Sequence, residues 1–140
     1  MKPHRFFAYL VQLAFLSMAG AATAAPNTLK VGSFVLSLCN TDLTGYCGAI
    51  ERPLDPTGAV PGIVTVGFVY YPRRDKAHAR LGVILPQEGG PGYSSTGTRD
   101  FYVGLFDPLR SRRDILIVDK RGTGSSDPIN CRACRPDRWP

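Results

Sequence analysis

LGVILPQEGGPGYSSTGTRDFYVGLFDPLRSRRDILIVDKRGTGSS, residues 81–126, contains two apolar runs that each end in a glycine turn. The runs, Leu81–Leu85 and Ile115–Val118, are continuously apolar, as expected for strands buried on both faces of a parallel sheet. Between them, apolar residues over 98–113 recur at roughly helical spacing, and Pro108 is expected to end that helix early. This order of elements predicts a βαβ unit with a right-handed crossover.

The chain upstream of this stretch shows further strand patterns. Ile63–Tyr71 is rich in β-branched and aromatic residues, and Leu29–Leu38 alternates enough to predict a first strand. Turn residues dominate Arg52–Gly58, and a charged hairpin loop is expected over Arg73–His78. These patterns predict the α/β fold class, with strands and one crossover helix forming an incomplete sheet.

The amino-terminal residues 1–24 have the pattern of a secretory signal peptide. Lys2 and Arg5 precede the apolar run Phe6–Ala19, and small residues follow it, which predicts cleavage near Ala24. The run is short for crossing roughly 30 Å of hydrocarbon, so no stable membrane anchor is expected after cleavage. We therefore expect a secreted or cell-envelope protein.

The rest of the chain divides near its carboxyl end. Residues 25–130 carry the strand and helix patterns, whereas residues 131–140 combine arginine, proline and cysteine without apolar periodicity. That tail indicates a truncation or a changed reading frame. The formal net charge is a modest +6, and the basic residues lack the interleaved aromatic residues of a single-strand nucleic-acid groove. No nucleic-acid partner is expected.

Four cysteines in an exported chain make disulfides plausible. Cys39 and Cys47 bracket a polar loop, and we expect them to form a local disulfide. Cys131 and Cys134 have the spacing of a redox pair or of half a zinc site. A structural zinc needs about four ligands, and His78 is the only histidine outside the signal. No metal site and no cofactor are predicted.

The glycine turns allow three chemical interpretations. Gly92–Gly97 has the spacing of a phosphate loop, but Thr98 stands where that loop requires lysine. Gly122–Ser126 lacks the third glycine of a dinucleotide fingerprint, and Asp127 would repel a pyrophosphate. The remaining interpretation is an oxyanion hole, in which glycines let backbone N–H groups approach the negative oxygen of an acyl-transfer intermediate.

Several of these motifs resemble α/β-hydrolase-fold peptidases of the proline iminopeptidase and tripeptidyl aminopeptidase type. The matching segments are Gly89–Gly92, Asp114–Asp119, Arg121–Gly124 with Ser126 behind it, Cys47–Gly48 and Pro53–Asp55. Glu88 and Lys120 depart from the family pattern, since many members have histidine and glutamine there.

The resemblance implies hydrolysis of N-terminal peptide bonds through a serine acyl-enzyme, with a peptide or a small ester as substrate. The Gly90 N–H would be one oxyanion donor, supported by Gly89, Pro91 and Gly92. The residues that would scaffold the site through turns and local ion pairing are Asp119, Arg121, Gly122 and Gly124.

The catalytic triad of such an enzyme is missing from this sequence. The family order is serine, acid, histidine, with the serine in a G-x-S-x-G turn. Ser94 has Thr96 at the final glycine position of that motif, and His78 precedes every candidate serine. We therefore expect the N-terminal part of an exported serine hydrolase, inactive as given. The alternative is a small secreted, disulfide-containing binding or interaction protein without catalysis.

Overall fold

A computed structural model describes residues 24–40 and 42–128, and within them six strands form one mixed sheet in the order β1-β2-β3-β4-β6-β5. The strands are β1 Thr28–Val31, β2 Phe34–Asn40, β3 Gly45–Pro53, β4 Ile63–Tyr71, β5 Val83–Ile84 and β6 Asp114–Val118. A short helix, α1, covers Arg99–Leu105 and lies between two single 3-10 turns, Thr96–Thr98 and Asp107–Leu109.

The strand directions contradict the predicted α/β-hydrolase sheet. Strands β1 to β4 form antiparallel neighbours in chain order, and β4 also pairs antiparallel with β6. Among the described strands, parallel pairing is confined to β5 and β6, where Val83 faces Asp114 and Ile84 faces Ile115. The helix between them has seven residues. The fold is a curled mixed sheet with one short helix, so the predicted fold class is wrong.

The first predicted strand, Leu29–Leu38, is two strands joined by a tight turn at Gly32 and Ser33. Gly32 has φ +60°, the backbone conformation that two-residue hairpin turns require. Because Val31 pairs with Phe34 across this turn, the side chains on one face stay on that face after the chain reverses. The alternation therefore shifts by one position at the turn, from Leu29 and Val31 to Phe34 and Leu36, although the apolar content of Leu29–Leu38 resembles that of one strand.

Two of the other predicted strands and the end of the helix agree with the structure, whereas Leu81–Leu85 differs from its prediction. Ile63–Tyr71 and the strand ending at Val118 are confirmed, and α1 ends before Pro108, as expected. The run Leu81–Leu85 is not buried on both faces; it forms only the edge strand β5, and Val83 is 48% exposed. Strand β3 was not predicted, although it pairs with β4 along its whole length from Tyr46 onwards.

One face of the sheet carries the hydrophobic core, and the other is open. Strands β4 and β6 pack their buried side chains against α1, in a cluster of Val69, Tyr71, Val103, Ile115 and Ile117. The opposite face forms a groove of about 390 Å³, lined mainly by apolar side chains that include Phe34, Val66, Phe68, Leu116 and Val118. A Cys39–Cys47 disulfide, with a Cα–Cα distance of 5.6 Å, links β2 to β3.

Several predictions concern residues whose structure is not described. The signal peptide falls almost wholly on residues 1–23, and Cys131, Cys134 and the atypical tail lie beyond residue 128, so all of these are outside the described residues. Within residues 24–40 and 42–128, no helix has the length and apolar character needed to cross a membrane.

Candidate functional site

The Asp119 carboxylate, immediately after β6, joins the two glycine turns. It accepts hydrogen bonds from Ser94 Oγ at 3.0 Å, from Thr96 N at 2.9 Å and from Thr96 Oγ1 at 2.6 Å. From its own loop it accepts hydrogen bonds from Ser125 N at 2.8 Å and Ser125 Oγ at 2.9 Å. One carboxylate therefore holds together two segments that are distant in the sequence.

This carboxylate is fully buried, and no ion pair of the described residues includes it. Burial alone would raise the pKa of Asp119. The hydrogen bonds from Ser125 and Thr96 outweigh burial and lower the pKa to about 2. Asp119 is therefore ionised at neutral pH, and hydroxyl and N–H donors stabilise its charge in place of the predicted ion pairing.

The predicted oxyanion turn follows Glu88, whose backbone N–H and carbonyl are both hydrogen-bonded. The Glu88 N–H donates to the buried hydroxyl of Ser95 at 3.1 Å, and its carbonyl accepts a hydrogen bond from Lys120 Nζ at 3.2 Å. Gly89 and Gly90 follow and are exposed, and no described residue accepts a hydrogen bond from either N–H. The turn thus presents the N–H groups of Gly89 and Gly90 as hydrogen-bond donors, and the backbone of Glu88 before them is held in place.

Gly90 and Gly124 are glycines for identifiable steric reasons. Gly90 has φ +66°, and an added Cβ would lie 3.2 Å from the ring of Tyr93. Gly124 has φ +51°, and its Cβ would lie 2.1 Å from Asp119 Oδ2 and 2.4 Å from Ser94 Oγ. A side chain at position 124 would therefore occupy the space in which the two turns meet.

The pairing of β4 with β6 ends at Phe68, and the loop after β6 makes hydrogen bonds to the residues of β4 that come before Phe68. Gly67 accepts a hydrogen bond from the Asp119 N–H at 3.1 Å, and its own N–H donates to Ser126 Oγ at 2.9 Å. The Thr65 N–H donates to Asp127 Oδ2 at 2.6 Å. These contacts fix the loop against the sheet, so the Asp119 carboxylate is held in place.

The other predicted scaffold residues point elsewhere. Arg121 donates from Nη1 to the carbonyl of Leu54 at 2.9 Å and makes no contact with Asp119. Gly122 donates its N–H to the Ser126 carbonyl at 2.8 Å, inside the loop. The structure therefore brings Asp119 and Gly124 to Ser94 and Thr96, which follow the turn that contains Gly90, and directs Arg121 away from them.

The described residues contain no serine, histidine and acid arranged as a triad. Ser94 Oγ donates to Asp119, accepts a hydrogen bond from the Gly97 N–H at 2.9 Å and lies 3.2 Å from Thr96 Oγ1, so its partners are an acid, an amide and a hydroxyl. His78 Nδ1 lies 2.7 Å from Asp75 Oδ2 in an exposed loop, and no hydrogen bond links this pair to Ser94. The ionised Asp119 carboxylate, with a pKa of about 2, is too weak a base to activate the Ser94 hydroxyl.

Two features of the site were not predicted from the sequence. Ser95 and Thr96 orient the turn, and the hydroxyl run that follows the glycines was a signal that could have found them. The pairing of His78 with Asp75 was indicated only by their spacing of three residues within a polar loop. Among the described residues, no group of three or more histidine, cysteine, aspartate or glutamate side chains could hold a metal ion.

Comparison of the chain with known protein families gives no match, and comparison with curated proteins gives no significant relative. The resemblance to peptidases therefore rests on the short glycine motifs and the segments next to them.

Proposed function

We propose that the Gly89–Gly92 turn binds the oxyanion of an acyl-transfer reaction, in a serine hydrolase that acts on N-terminal peptide bonds or small esters. The observation that carries this proposal is the exposed Gly90 N–H, which has no acceptor among the described residues. Donors that are already oriented stabilise a developing negative charge without reorganisation in the transition state. The preference for N-terminal peptide bonds comes from the motif resemblance alone.

The charges beside the turn are the Lys120 ammonium and the carboxylates of Glu88 and Asp119, and the Glu88 carboxylate interacts with the Tyr102 hydroxyl. Lys120 brings a positive charge to the Glu88 carbonyl, next to the glycines. The negative charge of Asp119 is already bound by five donor groups on Ser94, Thr96 and Ser125. In this proposal Asp119 positions the turn and does not react. An oxyanion donor of this kind is worth about 10²- to 10³-fold in kcat.

The proposal assigns no nucleophile to the described residues. The base next to Ser94 is the weakly basic Asp119 carboxylate, and His78 is paired with Asp75 away from it. The described part therefore contributes oxyanion binding and scaffold, and we expect the 140-residue chain to have no hydrolytic activity.

Binding of a tetrahedral anion tests the turn directly. We would titrate the uniformly ¹⁵N-labelled full chain with a dipeptidyl phosphonate monoanion and follow the backbone amides by NMR. The expected result is selective shifts of the Gly89 and Gly90 amides. Gly90→Ala should weaken the response because it strains a positive-φ residue next to Tyr93, whereas Gly89→Ala, whose Cβ meets nothing within 4 Å, should not. Unchanged amides at both glycines would overturn the proposal.

The absence of a nucleophile needs a separate experiment. The full chain is incubated with aminoacyl and tripeptidyl chromogenic substrates, and then with a serine-directed fluorophosphonate. We expect neither turnover nor covalent labelling. A labelled serine, located by mass spectrometry, would show that the described residues do contain a nucleophile and would contradict this assignment.

The second candidate function is a small secreted binding protein, and the Cys39–Cys47 disulfide and the open apolar face favour it. A disulfide stabilises a small exported domain, and an uncovered apolar surface is common at protein interaction sites. A chain that binds no phosphonate but stays folded only while Cys39 and Cys47 are oxidised would support this function over the hydrolase.

A further inference from the structure

A second cleft lies between the start of β4 and the loop that follows β6. Its volume is about 360 Å³, within the usual range for small-molecule sites. The lining residues are Leu54, Ile63, Val64, Arg121, Gly122 and Asp127. We call it the Arg121–Asp127 cleft, and we propose that it binds a free α-amino acid with an apolar side chain.

The apolar wall of the cleft is built from side chains that have little cover. Leu54 is 48% exposed and Ile63 is 69% exposed, and Val64 lies buried beside them. A ligand side chain of leucine or isoleucine size would remove part of both exposed surfaces from water. Burial of such surface is favourable in proportion to its apolar area.

The two charged residues of the cleft are anchored by the backbone. Arg121 uses Nη1 to bind the Leu54 carbonyl at 2.9 Å, and no acceptor in the described part of the chain binds its other guanidinium N–H groups. Asp127 has φ +43° and uses Oδ2 to accept a hydrogen bond from the Thr65 N–H at 2.6 Å, and no donor within residues 24–40 and 42–128 binds its Oδ1. Both charges are therefore held in place before any ligand binds.

Arg121 and Asp127 line the same cleft, yet none of the ion pairs in residues 24–40 and 42–128 joins them. A ligand with only a carboxylate would leave Asp127 unmatched, and a ligand with only an ammonium group would leave Arg121 unmatched. An α-amino acid carries both groups on one carbon, next to its side chain. Its carboxylate matches Arg121, its ammonium matches Asp127, and its side chain matches Leu54 and Ile63.

A ligand series on the unmodified full chain tests this assignment without relying on any variant. L-leucine, leucine amide, N-acetyl-leucine and glycine are each titrated into the ¹⁵N-labelled protein. Leucine should shift the amides of Ile63 and Gly122 with a Kd of about 1 mM or somewhat above. Loss of either charge should weaken binding by about 1.4- to 5-fold, the range expected for one exposed ion pair. Glycine should bind more weakly than leucine because it lacks the side chain.

Two conservative variants assign the charges to their partners. Asp127→Asn keeps an oxygen for the Thr65 N–H and should abolish the preference for leucine over N-acetyl-leucine. Arg121→Gln should abolish the preference for leucine over leucine amide. Asp100→Asn, on the exposed surface of α1, is the matched control and should keep both preferences.

Several results would overturn the amino-acid site. They are equal binding of all four ligands, no shifts at Ile63 and Gly122, or Asp127→Asn with its preference intact. Stronger binding of leucine amide than of leucine would also overturn it, and would indicate a peptide amino terminus as the ligand. Because the phosphonate experiment is read at Gly89 and Gly90, failure of the cleft and failure of the oxyanion turn are distinguishable.

Discussion

Thr96 binds both oxygens of the Asp119 carboxylate, with its N–H nitrogen 2.9 Å from Oδ1 and its hydroxyl 2.6 Å from Oδ2. The threonine opens the 3-10 turn that leads into α1, and the aspartate follows the last residue of β6. This pair therefore connects the helix to the sheet at the place where the candidate oxyanion turn is held.

The Asp119→Asn substitution should destabilise the fold. The amide side chain would turn an NH₂ group toward N–H and hydroxyl donors, and would leave buried polar groups without acceptors. We expect a loss of about 2–4 kcal/mol in the free energy of unfolding, measured by urea titration. Asp100→Asn, at an exposed position of α1, should change it by less than about 0.5 kcal/mol. Equal losses in both variants would contradict the role given to Asp119.

The lowered pKa of Asp119 predicts acid sensitivity. Its pKa is about 2 in the folded protein and 3.8 in the reference state, so the folded state favours the ionised form. The resulting stabilisation, of the order of 2 kcal/mol, is complete above about pH 5 and is lost as the pH falls toward 2. Urea midpoints between pH 7 and pH 2 measure this loss. Asp119→Asn should show a smaller loss than the wild type, and identical pH profiles would refute the assignment.

Two glycine substitutions should have opposite effects. Gly124→Ala places a Cβ 2.1 Å from Asp119 Oδ2 at a residue with φ +51°, and we expect a loss of at least about 2 kcal/mol in stability. Gly104→Ala adds a methyl group in α1 that meets nothing within 4 Å, and should gain up to about 1 kcal/mol from helix propensity. Thermal unfolding of the two variants compares them, and a harmless Gly124→Ala would exclude crowding at this position.

The Cys39–Cys47 disulfide closes a short loop, with a sequence separation of 8. The chain-entropy relation for a loop of this size gives a stabilisation of about 2.5 kcal/mol. The double variant Cys39→Ser, Cys47→Ser should lose about this amount under oxidising conditions. Under reducing conditions its stability should equal that of the wild type, and a remaining difference would point to a packing effect of the sulfur atoms.

Part of the fold could be predicted because the conformation of some segments follows from their local sequence alone. Ile63–Tyr71 and the strand that ends at Val118 carry β-branched and aliphatic runs whose local signal agrees with their structure. The run Leu81–Leu85 carries the same signal but forms an edge strand, since composition does not show whether a second neighbouring strand exists. At Gly32 the sequence contains a turn signal and a one-residue shift in the alternation, and the prediction of a single strand missed both.

The candidate site was predictable only as separate pieces. The glycine turns identified Gly90 and Asp119 as positions of interest, yet their neighbours come from different parts of the chain. Thr96 and Asp119 are 23 residues apart, and their contact depends on how β6 and α1 are placed. No ion pair of the described residues includes Asp119. Hydroxyl groups supply the donors, and serine or threonine gives little indication of its partner from sequence alone.

The longer reach of β4 relative to β6 has a consequence for self-association. The pairing of β4 with β6 is confined to Phe68–Tyr71, so the first half of β4 would otherwise offer unpaired amide groups to a strand from another molecule. The side chains of Ser126 and Asp127 accept hydrogen bonds from the N–H groups of Gly67 and Thr65, respectively. These side-chain hydrogen bonds prevent a strand of another molecule from pairing with the first half of β4. A variant without the Ser126 and Asp127 side chains should therefore form intermolecular β-structure more readily.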